Sequence, residues 1–378
     1  MRRYYKDIEK LIKKENYRTI QDRASKQGPR IIIDNKEFIN FSSNDYLGLS
    51  NHPYIIEKVK AAIHEFGYGS SASRLLSGAT ILTTKLEEKI SKFKKTESAL
   101  IFNTGFSANI GVIPAITDSE TAIFSDELNH ASIIDGCRLS KAERIIFTHK
   151  DLSHLEELIK KNNKKYKIVI TDSVFSMDGD IAPLPGIVEI CKRYEASLYI
   201  DDAHATGVIG DGRGSLSHFN IQPEPWIIQM GTFSKALGSY GAFVTGADEV
   251  IKWVVNNARS FIYSTALPTC IIAANLASLD ILLEDPSILN KLWENRNKLF
   301  NKLRELGFDT MASETPIIPI KTGSVKNTIK VSKYLYEHGI YAPPIRPPTV
   351  KEARIRLTVT SAHTDEDIKT LIDTLKNI

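Results

Sequence analysis

Four stretches of this sequence hold residue types that could do chemistry together. In GTFSKALGSYG (231–241), Lys235 follows the apolar run WIIQM and is flanked by Thr232 and Ser234. A lysine placed after a strand can form a Schiff base with an aldehyde while nearby hydroxyls hold a phosphate. The same residues also suit a solvated lysine in a glycine-rich turn, and the glycine spacing of a nucleotide P-loop is missing. In YIDDAHATGVIG (199–210), Asp201 closes an apolar run and His204 lies three residues on. A carboxylate there could pair with a pyridinium nitrogen and favour its protonated form. It could equally cap a turn, or bind a metal together with Asp202 and His204. No second His or Cys cluster completes a metal site.

The other two stretches are weaker on their own. In TDSVFSMDGDIAPL (171–184), Ser176 and Asp178 could face a ligand, or serve an ordinary strand-to-helix connection. In NTGFSANIG (103–111), Gly105 and Phe106 open a predicted helix whose free N–H groups suit a phosphate. His130, in ELNHASIIDG (127–136), opens another helix. Its ring could stack on a planar group or merely cap the helix.

All four follow short β-rich runs, which matters for how they would be brought together. From about residue 98 such runs alternate with helical stretches: ALIF, TAIF, RIIF, KIVIT and SLYID are each followed by an amphipathic segment or a loop. This pattern predicts βαβ units and a mainly parallel sheet. Sites in such sheets lie beyond the carboxyl ends of the strands. After Pro268 the rhythm changes to two long helical patterns, a β run PIIPIK, another helix, RIRLTVT and a closing helix. The expected division is an arm over 1–40, a large domain over 41–275 and a small α/β domain over 276–378. Within the arm, Ile8, Leu11 and Ile12 have helical spacing, and Asp34 and Asn35 punctuate a hairpin. Pro53 starts a helix whose predicted inner face is Ile56, Val59 and Ile63, with Gly67 at its end.

Composition narrows the class. The 378 residues are 42% hydrophobic and 25% charged, a globular balance. A net charge of +4, from 49 basic and 45 acidic side chains without a basic–aromatic tract, gives no reason to expect a nucleic-acid partner. It still permits weak attraction of an acidic partner, such as a phosphorylated carrier. Cys137, Cys191 and Cys270 are sparse, odd in number and without metal spacing, which fits a reducing compartment. The charged start lacks the apolar stretch of a secretory signal, and no run approaches a membrane span. A cytoplasmic enzyme with no membrane partner is expected.

Taken in order, NTGF, NHAS, VFSMDGD, DDAHATG and TFSK resemble the α-oxoamine synthases, pyridoxal-phosphate enzymes of fold type I. The likeness extends to FSSNDYLGLS (41–50), SRLLSG (73–78), IYSTALP (262–268) and RIRLTVTSAH (354–363), nearly the whole chain. It implies an α/β fold with a seven-stranded-type, mainly parallel sheet, a smaller C-terminal α/β domain, and pyridoxal 5'-phosphate as cofactor. The stretch IRPPTV (345–350) looks like the members that condense L-alanine with a pimeloyl thioester in biotin biosynthesis. Sister members use glycine with a short acyl thioester, or serine with palmitoyl thioester.

By this resemblance Lys235 is the Schiff-base lysine, Asp201 pairs with the pyridine nitrogen, and His130 stacks over the ring. His204 and Ser176 lie by the phenolic oxygen, while Gly105, Phe106 and Thr232 serve the phosphate. Arg356 would grip the amino-acid carboxylate, a task for which a planar fork suits better than a lysine. Without the family, Arg356 reads as half of a strand-face salt bridge. Arg18 and Thr349 match positions near the acyl substrate. The resemblance also implies a homodimer with active sites at the interface, and the loop GYGSSASRLLSG (67–78) reaching the partner. Two departures stand out. VKEAR (350–354) is shorter than the usual link to the RIR strand, and Asp172 stands where many relatives carry glutamate. Rival readings are a sister acyltransferase, a metal-dependent hydrolase using Asp201, Asp202 and His204, and a non-catalytic binding subunit.

Overall fold

The computed structural model describes residues 2–13 and 17–378. In the arm, Asp34 and Asn35 take φ of 50° and 60° and join β1 (Arg30–Ile33) to β2 (Lys36–Asn40) in antiparallel register. Two successive left-handed residues make the turn that a two-residue hairpin needs, and Asn and Asp tolerate that conformation. The helix Arg2–Lys13 forms as its spacing predicts, with Ile8, Leu11 and Ile12 exposed.

The apolar runs after residue 98 build one seven-stranded sheet. Its strands are β3 (Ser98–Phe102), β4 (Thr121–Asp126), β5 (Glu143–Phe147), β6 (Tyr166–Asp172), β7 (Ser197–Asp201), β8 (Ile227–Thr232) and β9 (Ala242–Gly246). The order is β3-β9-β8-β7-β6-β4-β5. Only β9 runs antiparallel to its neighbours. Helices cover both faces, so the central strands are buried on each side and read as continuous apolar runs rather than alternating ones. The carboxyl ends of β3, β4, β6, β7 and β8 fall on one edge, where the four chemical stretches begin.

The second unit contains β10 (Ile317–Lys321), β11 (Ile340–Tyr341), β12 (Pro344–Ile345) and β13 (Arg354–Thr358). β10, β13 and β12 form an antiparallel sheet, and β11 pairs with β2 of the arm. Their shared core joins Ile39 and Phe41 to Leu299, Ile318, Ile355 and Leu371. Residue 275 lies inside an unbroken helix, Thr269–Glu284, which packs into the large core. The change of core comes on the next helix, Ser287–Glu305, where Leu292 faces the large core and Leu299 the small one.

One expected face is rotated. On the helix Pro53–Phe66, Ile55 and Ala62 are buried and Val59 half-buried, while Ile63 is exposed. The faces 55–59–62 and 56–59–63 both satisfy a helical period. Ala62 wins because a small side chain permits close packing on Cys270 and Ala273.

Beneath the sheet edge, Lys94 Nζ lies 2.7 Å from Asp202 Oδ2, with both side chains fully buried. Ser173 Oγ donates to Asp202 Oδ1 at 2.7 Å, and Ser215 donates to the same carboxylate through both its hydroxyl and its backbone N–H. This pins the chain just after Asp201. Removing one partner of such a pair strands a buried charge. Lys94→Met is therefore expected to lower stability by ~3–5 kcal/mol in urea unfolding. A loss within about 0.5 kcal/mol, typical of surface changes, would refute the anchoring role.

Candidate active site

Lys235 projects from a turn that closes on itself. Phe233 N–H donates to Gly241 O at 3.0 Å, and Ser239 N–H donates to Phe233 O at 2.9 Å. Phe233 anchors the turn by packing edge-on against Phe243, with centroids 5.2 Å apart. The Lys235 amine is pushed down to about 8, chiefly by burial. Asp201 and Asp172 pull the other way, and the Arg356 charge adds to the depression.

Asp201 ends β7 as a buried acceptor. Asn109 Nδ2 donates to its Oδ2 at 2.8 Å, and Ala203 N–H donates to Oδ1 at 2.9 Å. No cationic side chain pairs with it among the described residues. Asn109 is itself oriented, since Tyr199 OH donates to its Oδ1 at 2.8 Å. Asn109 Nδ2 also reaches Ser132 Oγ at 2.9 Å, and Ser132 Oγ lies 2.7 Å from His130 Nδ1. The Ser132 N–H donates to the same nitrogen at 3.2 Å, so Nδ1 accepts and Nε2 carries the hydrogen. The His130 ring is exposed, and burial of its surroundings lowers its pKa. Asp172 accepts the His130 backbone N–H at 2.6 Å. Burial first, and then the Asp201 charge, push the Asp172 carboxyl well above the usual carboxylate range.

His204 is buried and held well below its ordinary pKa, first by burial and then by the charges of Lys235 and Arg356. Its Nδ1 lies 2.8 Å from Tyr46 OH. Burial pushes the Tyr46 phenol up to about 12, so the hydroxyl stays protonated. Arg356 Nη2 approaches that hydroxyl at 3.5 Å and can only donate to it. The Tyr46 proton therefore points to His204 Nδ1, leaving a neutral ring with Nε2–H.

Arg356 is 7% exposed. Its Nε donates to Ser176 O at 2.5 Å, Nη1 to Thr358 Oγ1 at 2.9 Å and Nη2 to Asn44 Oδ1 at 3.0 Å. None of these partners is a carboxylate, so the salt-bridge alternative fails. A buried guanidinium without an anion is costly unless a ligand supplies one. Neighbouring Arg354 is the one that pairs with a carboxylate, that of Asp178. Asp178 is thus part of the loop's anchoring, where the sequence suggested it could face a ligand.

On the phosphate side, Thr104 and Ser107 form a capping box that starts the helix Gly105–Ala115 at the expected residue. A Cβ on Gly105 would sit 2.9 Å from Thr232 Cγ2, so only glycine lets the helix start approach this strand end so closely. Thr232 is buried and Phe106 exposed. Arg18 and Thr349, 331 residues apart, meet through a 2.8 Å bond from Nη2 to Oγ1. They line an open groove with Tyr17, Lys333, Tyr336 and Arg346. Neither shares a hydrogen bond with the residues around Lys235. Asp202, the second candidate metal ligand, is engaged by Lys94, Ser173 and Ser215 instead.

Residues 36–375 match the family described as aminotransferase class I and II. The chain belongs to this family. It is 53% identical to a Thermodesulfovibrio yellowstonii protein provisionally named 8-amino-7-oxononanoate synthase, over 97% of this chain and 95% of that one. It is 46% identical to the 8-amino-7-oxononanoate synthase of Thermoanaerobacter pseudethanolicus, over 98% and 95%. Among solved structures, a lysine-to-alanine variant of S. paucimobilis serine palmitoyltransferase, with bound PLP–myriocin aldimine, superposes with a TM-score of 0.93. Identity is 27%, and 99% and 96% of the chains are covered. The 8-amino-7-oxononanoate synthase of Francisella tularensis gives 0.79 at 28% identity, over 90% and 97%. The resemblance to α-oxoamine synthases and the fold type I expectation are borne out.

Pyridoxal phosphate is the cofactor that the family and these structures indicate, and the residues present fit it. Asp201 is a buried acceptor without a cation, suited to a protonated ring nitrogen. Gly105 leaves space beside Thr232 where helix N–H groups are free. Sequence reading named the strand-end residues but not Asn109, Ser132, Tyr46 or Asn44, which orient them. A signal existed for Asn109: it is the one amide in the apolar helix GFSANIGVIPA, and it is fully buried.

The depressed Lys235 amine has a direct consequence. In protein stripped of cofactor, acylation of Lys235 should rise with a midpoint near pH 8, as read by peptide mapping. Exposed lysines should rise near 10.4. A Lys235 midpoint matching theirs would contradict the burial argument.

Proposed function

We propose that this chain catalyses the decarboxylative condensation of L-alanine with a pimeloyl thioester. The products are 8-amino-7-oxononanoate, carbon dioxide and the free thiol carrier, as in biotin biosynthesis. The carrier is coenzyme A or an acyl carrier protein. The names of its relatives support this acyltransferase reading, and one observation carries it: Arg356 is a buried guanidinium without a carboxylate partner.

Bound pyridoxal phosphate supplies an aldehyde that captures an amine and a protonated ring that takes up electrons from a developing carbanion. The protein does the rest. Lys235 holds the coenzyme and, with its amine lowered to about 8, is neutral often enough to take a proton from the substrate Cα. Asp201, held by Asn109 and Ala203 N–H, would pair with the ring nitrogen and keep it protonated. Arg356 binds the amino-acid carboxylate and so fixes which bonds at Cα stand over the ring. His130, with Nδ1 held by Ser132, would offer its Nε2–H to the thioester or keto oxygen if it stacks on the bound ring. His204 and Ser176 would hold the phenolic oxygen, and Gly105, Phe106 and Thr232 would take the phosphate. Arg18 and Thr349 hold the acyl end in their groove.

The working form is a homodimer in the cytoplasm. Tyr68, Leu75, Leu76 and Tyr263 are 76%, 54%, 81% and 72% exposed, and three of them lie in the loop 67–78 expected to reach a partner. Covering such apolar side chains favours association. All three cysteines are free and buried, in keeping with a reducing compartment.

The deciding assay adds L-alanine and pimeloyl thioester to holoenzyme and looks for the amino ketone. Glycine with acetyl thioester serves as the contrasting pair, and preference for that pair would replace this reading with the sister one. Lys235→Ala should abolish turnover. Arg356→Ala should raise the alanine KM by roughly 100-fold, the value of a charged bidentate contact of ~3 kcal/mol. An unchanged KM would remove Arg356 from carboxylate binding.

A further inference from the structure

His149 lies outside every stretch read as chemical, and none of the roles above uses it. It follows β5, and its ring sits between two buried carboxylates. Nδ1 is 3.0 Å from Asp126 Oδ1, and Nε2 is 3.0 Å from Asp180 Oδ2. A carboxylate oxygen accepts, so both ring nitrogens donate, and an imidazole that donates twice is a cation. Phe175 meets the ring edge-on, with centroids 4.4 Å apart. The other charges nearby are few. Lys150 Nζ reaches Asp180 at 3.1 Å and Glu314 at 3.5 Å. Glu127 accepts the His149 backbone N–H at 3.3 Å and pairs with Lys351 at 2.9 Å. Among the described residues, Asp126 has no cation within ion-pair distance except His149.

Asp180 closes the base of a loop that runs from the large sheet to the small unit. Val174 bridges Ile181, Phe175 N–H donates to Asp180 O at 3.0 Å, and Ala182 N–H donates to Ser173 O at 2.9 Å. At the tip, Ser176 O accepts Arg356 Nε, Asp178 pairs with Arg354, and Gly179 O accepts Thr315 Oγ1 at 2.9 Å. Gly179 has φ of 73°, and a Cβ there would lie 2.1 Å from Ile317 O, so the tip lies tightly against β10. The tip thus touches the arginine proposed to bind substrate, and the base is held by His149.

We propose that His149 is a positioning residue: as a doubly donating cation it ties the end of β4 to the loop 173–182, and through the Ser176 carbonyl it holds Arg356 in place for the amino-acid carboxylate. The inference rests on the carboxylate role of Arg356 given above. Burial works against the charge on His149, but its bonds to Asp126 and Asp180 prevail and raise it to about 9. With a folded value above the usual 6.5, the order it provides is complete below about pH 6.5 and is lost as pH climbs through about 9.

The test measures amino-acid KM and kcat from about pH 7 to 10 on holoenzyme of wild type, His149→Gln and His149→Arg. Glutamine is neutral and cannot set two opposed donors between the carboxylates, while arginine keeps charge and donors and does not titrate in this range. The Gln variant should raise KM roughly tenfold near pH 7.5 with kcat within about twofold, the size of one weakened charge-assisted bond. The wild-type-to-Arg KM ratio should climb toward the Gln-to-Arg ratio as pH passes 9, while the Gln-to-Arg ratio stays flat. Titration of the substrate amine is common to all three and cancels in the ratios. Hydrogen exchange of peptide 173–182, corrected for intrinsic rate, should rise in the Gln variant and in wild type above pH 9, but not in the Arg variant. Coincident KM profiles or unchanged loop exchange would overturn the proposal. The wild-type against His149→Arg comparison stands alone if the Gln variant misfolds. An unchanged KM in Arg356→Ala would sink the carboxylate reading, while loop exchange would still report on His149.

Discussion

A carboxylate, Asp201, and a guanidinium, Arg356, are buried without ionic partners among the described residues, and both act on the Lys235 amine. Leaving a charge in a low-dielectric interior unpaired costs several kcal/mol, so a fold keeps such groups only where something else satisfies them. Much of the surrounding architecture serves to make that tolerable. Asn109 and the Ala203 N–H hold Asp201, while the Ser176 carbonyl, Thr358, Asn44 and Tyr46 hold Arg356. Neutral donors and acceptors orient both charges without neutralising them. The unmet remainder is what the proposed roles draw on: a coenzyme ring nitrogen on one side and a substrate carboxylate on the other.

The sheet makes this possible by geometry. Parallel strands bring Gly105, His130, Asp172, Asp201 and Lys235 to one edge, although they are spread over 130 residues of chain. Arg356 comes from a different sheet. Its position is set where the loop 173–182 leaves the large sheet and lies on β10 and β13. The candidate site thus draws on two sheets, and the contact between them includes the polar bonds of the loop 173–182.

Local signals in the sequence reached as far as local physics allows. The strand runs, the Asp34–Asn35 turn and the start of the helix at Gly105 depend on neighbours within a few residues, and each was readable. Lys235, Asp201 and His204 could be picked out because they follow strand runs, although each alone also fitted a bland role. Arg356 was nameable only through the family, since its partners Ser176 and Asn44 lie 180 and 312 residues away. Tyr46 and His149 stayed hidden for the same reason, since their meaning lies in partners from other elements, and the lone amide Asn109 revealed its partners only in the fold. The rotated face of Pro53–Phe66 shows a further limit. Periodicity names a face only to within one residue, and the packing of Ala62 on Cys270 decided it.

The pairing of β2 with β11 has a consequence for how the chain is made. Ile39 faces Ile340 across that pair, so the arm emerges from the ribosome some 300 residues before its strand partner. At ~5–20 residues per second, that is a wait of roughly 15–60 s with Ile39 and Phe41 uncovered. The large domain can close around its own sheet meanwhile. Ile39 and Phe41 are thus translated long before the residues that shelter them.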